Sequence, residues 1–245
     1  MLVEIIDKKI RYSYVIRIHD YIANKLKNLL PFETTLRVWK EEVYLSTPLK
    51  LEEEPSIYRI ELGKVYYWPP ESSICLFYGI SEPYTPVIFI GDIVGPLHYL
   101  KYVSDGDNAL VREHEVSPEF RDYVKELEAH GYDVATPLHE DRKVIYASKD
   151  LSEGKRLAFT IFIEDYGYHI ESEALVKYLE NMEVMKLVKS LKSDVAIRSK
   201  YLRLDINEDG YLVITAGLRK KSELFEAVKE LETVYPYVLT HVYAI

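Results

Sequence analysis

The 245-residue chain has no glutamine, one cysteine, only 10 glycines, and no apolar run long enough to span a bilayer. Each shortage excludes something. A lone Cys75 leaves no internal disulfide framework and no thiolate metal cluster. The few glycines form no phosphate-cradling loop. Basic residues are not in excess: the formal net charge is −9, with 13 basic against 17 acidic residues over 1–115 and 18 against 23 over 116–245. Neither half therefore offers a polycationic face, and nucleic acid is not an expected partner; the acidity serves solubility. Met1-Leu2-Val3-Glu4 does not open a secretory leader, so a cytoplasmic protein that does not engage a membrane is expected. Avoidance of thermolabile amides with abundant Glu, Lys, Ile and Tyr is the composition of a thermophile's protein, compositional drift being the alternative.

What remains is enough for a sizeable core, at 48% hydrophobic and 29% charged residues, and the length suits one large or two ordinary domains. The most informative stretch is Val65-Tyr66-Tyr67-Trp68-Pro69-Pro70, followed by Ile74-Cys75-Leu76-Phe77-Tyr78-Gly79. Two prolines stop a strand and an apolar run restarts one. Further strands are expected over 8–18, 34–45, 57–62, 86–91 and 109–114, with a helix over about 19–30 ended by Pro31. Many short strands with one short helix predict a closed barrel, which leaves no exposed edge. From Ser117-Pro118 the pattern changes to a helix closed by Gly131. Hairpins are expected around 143–164 and 198–217, helices over 172–191 and 222–234, and a last strand over 238–244. The predicted fold class is mainly β plus α+β: a β-barrel domain over 1–115, then an antiparallel-sheet α+β domain over 116–245.

Pro31-Phe32-Glu33, Trp39, Glu41-Glu42-Val43-Tyr44, Ser46-Thr47-Pro48, Gly63, Tyr67-Trp68-Pro69-Pro70, Cys75, Phe77, Gly79 and Ile90-Gly91 occur in the order seen in the prokaryotic cyclophilin-like family, which the first 114 residues resemble. That resemblance implies a compact eight-stranded barrel related to cyclophilins, without an assigned substrate. Two positions where the family pattern has glycine carry Lys40 and Glu71 here, so the turns they occupy are expected to differ in shape. Residues 116–245 resemble no family.

Candidate sites follow from residue chemistry. Prolyl isomerisation must stabilise a twisted amide against a barrier of roughly 20 kcal/mol, and in cyclophilins an arginine and a glutamine assist. Arg37 and Arg59 are the candidate arginines, and a glutamine-free chain has no partner for them. Cys75, flanked by apolar residues, is expected to be a buried and inert thiol, with His98 or His114 as the histidines that folding could bring near it. His139-Glu140-Asp141 and Asp205-Asn207-Asp209-Gly210 are expected to be solvated turns rather than metal loops. The same applies to the solvated runs Glu52-Glu53-Glu54 and Arg219-Lys220-Lys221. No metal or cofactor is expected.

The aromatic set is the better candidate. Arg37, Trp39, Tyr44, Tyr67, Trp68 and Phe77 are the expected ligand-binding residues, the rings stacking and Arg37 pairing charge, although strand alternation over an unbroken 34–45 strand puts Arg37 and Trp39 opposite Glu42 and Tyr44. The alternative is that the rings only fill the barrel. The expected function is a non-catalytic module binding a small molecule or short peptide, with residues 116–245 providing homo-oligomer contacts. Prolyl isomerase activity, a role related to small-amide hydrolases that share the barrel fold, and a purely structural protein remain as alternatives.

Overall fold

The computed structural model describes residues 1–52, 54–151 and 155–243; Glu53 of the acidic run lies outside them. The chain forms two units, Met1–Ile145 and Tyr146–Ile245. No helix among the described residues is long and apolar enough to cross a membrane.

The first unit is built on eight strands: β1 (Leu2–Asp7), β2 (Ser13–Ile18), β3 (Phe32–Trp39), β4 (Glu42–Ser46), β5 (Lys64–Trp68), β6 (Ser73–Phe77), β7 (Ile88–Val94) and β8 (Asn108–Glu113). They close into an antiparallel barrel in the order β1-β2-β7-β5-β6-β4-β3-β8. Helix α1 (Asp20–Lys27) follows β2 and buries Ile22, Ala23 and Leu26, with His19 rather than Asp20 in the capping position. The proline punctuation behaves as its chemistry requires. Pro69–Glu71 forms one 3-10 turn between β5 and β6, and Ser72 closes it at φ 49°.

Register assigns the two faces of the wall. Leu36 pairs with Leu45, Val43 with Leu76, and Val65 with Leu76, and these side chains, no more than 1% exposed, fill the barrel. Their sequence neighbours point outward. The interior is therefore a packed core.

Three expected strands differ. Residues 34–45 are two strands, because Lys40 adopts φ 55° and the chain reverses at Lys40-Glu41. Residues 8–18 begin with a turn, since the Asp7 carboxyl accepts from the Lys9 and Ile10 amides and ends β1. Residues 57–62 form only an isolated bridge, Ile57 to Val87.

After β8, a 3-10 turn (Pro118–Phe120), α2 (Arg121–Ala129), β9 (Asp133–Ala135), β10 (Leu138–His139) and β11 (Arg142–Lys143) complete the first unit. Gly131 leaves α2 at φ 82°, a left-handed exit that glycine permits without strain. This segment covers the outer face of β1 and β2. Ala135 packs on Val15 and Val94, the Leu138 amide donates to Ser13 Oγ at 2.8 Å, and the Thr136 amide donates to His114 Nε2 at 3.0 Å.

Beneath that cover lies Glu4, 1% exposed, on the outward face of β1. Ser13 Oγ donates to its Oε1 at 2.6 Å, and Arg112 donates to Oε2 through Nε at 3.1 Å and Nη2 at 2.9 Å. Burial opposes the charge, but the His114 ring, with Nδ1 at 3.6 Å, hydrogen bonds from Ser13 and Arg112 and attraction to Lys143 outweigh it and hold the carboxyl at about 2.

The second unit contains β12 (Ile145–Asp150, beginning at the boundary), β13 (Arg156–Glu164), β14 (Gly167–Ser172), β15 (Val176–Lys177), α3 (Met182–Arg198), β16 (Arg203–Ile206), β17 (Tyr211–Leu218) and α4 (Lys221–Tyr243). The strands are antiparallel; β14, β15 and β16 all pair with β17, and β13 pairs with β14. The helix expected over 172–191 starts at Met182 instead, because Asn181 accepts from the Val184 amide at 2.9 Å and residues before it are drawn into β14 and β15. The expected strand over 238–244 is the end of α4, with residues 244–245 outside the described range. Leu231, Val234, Val238 and Val242 recur at helical spacing and are all buried, and that burial outweighs the single backbone bond lost at Pro236.

On β14, Glu171 lies opposite Thr215, near the turn that carries Asp205, Asn207, Glu208 and Asp209. Burial raises its carboxyl to about 7, with repulsion from those acids adding to the effect and a hydrogen bond with Asn207 opposing it. The folded state thus holds a proton that the unfolded chain releases near its ordinary value of 4.5. This contribution to stability is complete below that value and is lost as pH rises through about 7, on the order of 2 kcal/mol after allowance for solvent screening. Chemical denaturation from pH ~5 to ~8 is expected to show the decline, and Glu171→Gln to flatten it. An unchanged slope in that variant assigns the decline to other groups.

Candidate functional site

The outward side chains of β4, β5 and β6 form the floor of a cavity of about 290 Å³. Trp39, Glu42, Tyr44, Trp68, Glu71, Cys75, Phe77, Pro83, Tyr84 and Val87 line it. Register explains the convergence. Trp39 sits opposite Glu42, Glu42 opposite Phe77, and Tyr44 opposite Cys75, so all five share the face that points away from the core. The Lys40-Glu41 reversal produces this arrangement, which an unbroken strand would not.

The loop that walls the cavity is fastened to that same reversal. The Glu41 carboxylate accepts from the Ile80 amide at 2.7 Å, the Glu41 amide donates to Ser81 Oγ at 2.9 Å, and Tyr78 donates through its hydroxyl to the Lys40 carbonyl at 3.2 Å. Gly79 makes room for the carboxylate, since a Cβ there would meet it at 2.2 Å. Trp68 is fixed by its indole N–H, which donates to Thr85 Oγ1 at 2.7 Å. Tyr66 and Val87 form the buried base together with Cys75 and Phe77.

Electrostatically the cavity is acidic, and the side chains of Glu42, Cys75 and Phe77 at its floor are buried. Among the described residues that line it there is no Lys, Arg or His. Burial raises the Glu42 carboxyl above its usual range, and the hydrogen bond with the Cys75 thiol only partly offsets this. The thiol is itself pushed well up, by burial first and then by Glu42, so it is no nucleophile at neutral pH. Neither His98 nor His114 lines the cavity. No group of three or more His, Cys, Asp or Glu among the described residues converges to hold a metal ion.

Of the residues singled out from sequence, Trp39, Tyr44, Trp68 and Phe77 are brought together here. Arg37 shares their face but is half-exposed and pairs with Asp105 at 3.7 Å. Tyr67 points into the barrel, 1% exposed, and its hydroxyl donates to the Leu49 carbonyl at 3.1 Å. Arg59 is on an exposed loop. Glu42, Glu71, Pro83, Tyr84 and Val87 are lining residues that sequence reasoning did not gather. The two glycine replacements divide: Lys40 takes the left-handed conformation at φ 55°, while at the second turn the left-handed residue is Ser72 at φ 49° and not Glu71.

Residues 3–112 match the family model described as Cyclophilin-like, and no family model covers the second half. Among solved structures, a hypothetical protein from Archaeoglobus fulgidus, determined in solution, is 28% identical over 46% of this chain and 94% of its own, at a TM-score of 0.39. McbB in complex with tryptophan is 14% identical over 52% of this chain and 54% of its own, at a TM-score of 0.38. The search of curated proteins found no match.

Proposed function

With residues 3–112 forming a cyclophilin-like barrel, we propose that the protein is a cytoplasmic binding module that receives a small molecule, or one side chain of a short peptide, in the cavity on the outer face of that barrel. The observation that carries this reading is the gathering of Trp39, Tyr44 and Trp68 around the buried carboxyl of Glu42 in an open cleft. The rings supply stacking area and the carboxyl fixes orientation. Residues 146–245 are free to serve assembly, which the barrel cleft does not need.

The isomerase alternative is weaker because neither Arg37 nor Arg59 lines the cleft. A purely structural role leaves the cleft without a purpose. Proton transfer by Glu42 on a bound substrate is favoured by its burial, but the cavity provides no nucleophile beside it.

The test is native mass spectrometry of gently purified protein, followed by ligand-detected NMR with a fragment set. Trp68→Ala is expected to weaken any bound species at least about tenfold while circular dichroism of the barrel stays unchanged. Binding that is equal in the variant, or absent from the wild-type protein, overturns the reading.

A further inference from the structure

We propose that the cleft selects for positive charge: its ligand is an organic cation, an ammonium or amidinium group on a flat apolar body, with Glu42 as the specificity-determining residue. This rests on the binding reading above and narrows it.

Glu42 stands at the floor of the cleft with only a weak internal partner. Glu42 is 6% exposed, and the one hydrogen bond its carboxyl makes among the described residues comes from the Cys75 thiol. A thiol is a weak donor, while a carboxylate has about four acceptor sites to fill. A buried carboxylate left that way costs free energy that a strong donor on a ligand would recover. Compare Glu4, also buried in the same unit, which Ser13 and Arg112 satisfy with short bonds. Among the described residues of the cavity lining no protein cation plays that part, since none is Lys, Arg or His. The chain has left this carboxyl for something else to neutralise.

The walls agree with the floor. Trp39, Tyr44, Trp68 and Tyr84 line the cleft, and aromatic rings attract cations over their faces in addition to stacking on flat groups. The Trp39 face already does so on the protein's own account, with Lys40 Nζ at 4.2 Å from the ring centroid. Glu71 adds a second acid at the exposed edge, so a cation meets negative charge on entry and again at the floor. The volume of about 290 Å³ is at the small end for a ligand site, which fits a metabolite-sized amine better than a folded partner. An anionic ligand would have to enter against both carboxyls.

Three matched probes separate charge from shape: 2-naphthylmethylammonium, 2-naphthylmethanol and 2-naphthoate, titrated into the full chain by NMR at neutral pH. The ammonium is expected to bind at least about tenfold more tightly than the alcohol, and the carboxylate not measurably. In Glu42→Gln the advantage of the ammonium over the alcohol should fall to about threefold or less, with the alcohol's own affinity unchanged. Should that variant fail to fold, Cys75→Ser gives the carboxyl a stronger internal donor and should reduce the same advantage. Equal binding of ammonium and alcohol, or an advantage that survives these substitutions, overturns the charge selectivity and leaves the binding module standing. If no probe binds the wild-type cleft, both fall.

Discussion

Gly91→Ala is expected to destabilise the barrel by about 4 kcal/mol or more, enough to leave much of the protein unfolded at ordinary temperature. Gly91 pairs with Ile18 on β2 and with Val65 on β5, at the point where the β5–β7 register shifts. A Cβ there would stand 2.0 Å from the Arg17 carbonyl oxygen and 3.2 Å from the Ile18 Cα. Those are backbone atoms of a closed sheet, so relief requires pulling β2 and β7 apart and giving up ladder hydrogen bonds. Gly106→Ala is the control. It has φ 92° but nothing within 4 Å of the added atom, so only left-handed strain of about 1 kcal/mol applies. Urea unfolding of both variants distinguishes the cases; a Gly91→Ala midpoint as mild as that of Gly106→Ala would show that the strands separate more easily than the geometry implies.

Glu4→Gln is expected to cost about 3 kcal/mol at neutral pH, because it removes the charge that Ser13, Arg112, His114 and Lys143 converge on while leaving them in place. The folded carboxyl titrates at about 2 and an ordinary one at 4.5. A depressed carboxylate stabilises the fold fully above the unfolded value, and that contribution disappears as pH falls through the folded one. The wild-type and variant stabilities should therefore differ most at about pH 7 and converge toward pH ~2 to 3. A constant gap across that range would mean that Glu4 acts through packing rather than charge.

The legible parts of this structure were those written locally. Trp68-Pro69-Pro70 announced the end of β5, and Ser117-Pro118 with Gly131 bounded the stretch holding α2. Of the aromatic residues of the cleft, Trp39, Tyr44, Trp68 and Phe77 could be named one by one. Their gathering could not, because it depends on Lys40 accepting a conformation that lysine seldom takes, which turns what looks like one strand into a hairpin. Missing that turn placed Glu42 and Trp39 on opposite faces and hid the floor of the site. Tyr84 and Val87 belong to a loop whose position is set by bonds that the Glu41 and Glu82 carboxylates accept from distant amides, for which no local pattern exists. In the second unit, a helix over 222–234 and a strand over 238–244 are expected, yet the buried stripe of α4 runs on through Pro236.

Because β4 and β6 alternate between core and cleft, inheritance of the two functions of the wall is separable at single-residue resolution. Val43, Leu45, Ile74 and Leu76 answer to the interior, whereas Glu42, Tyr44, Cys75 and Phe77 answer to whatever occupies the outside. Substitution at every second residue can therefore reshape the cleft with the intervening core residues untouched. Divergence along these strands should then be written with a period of two.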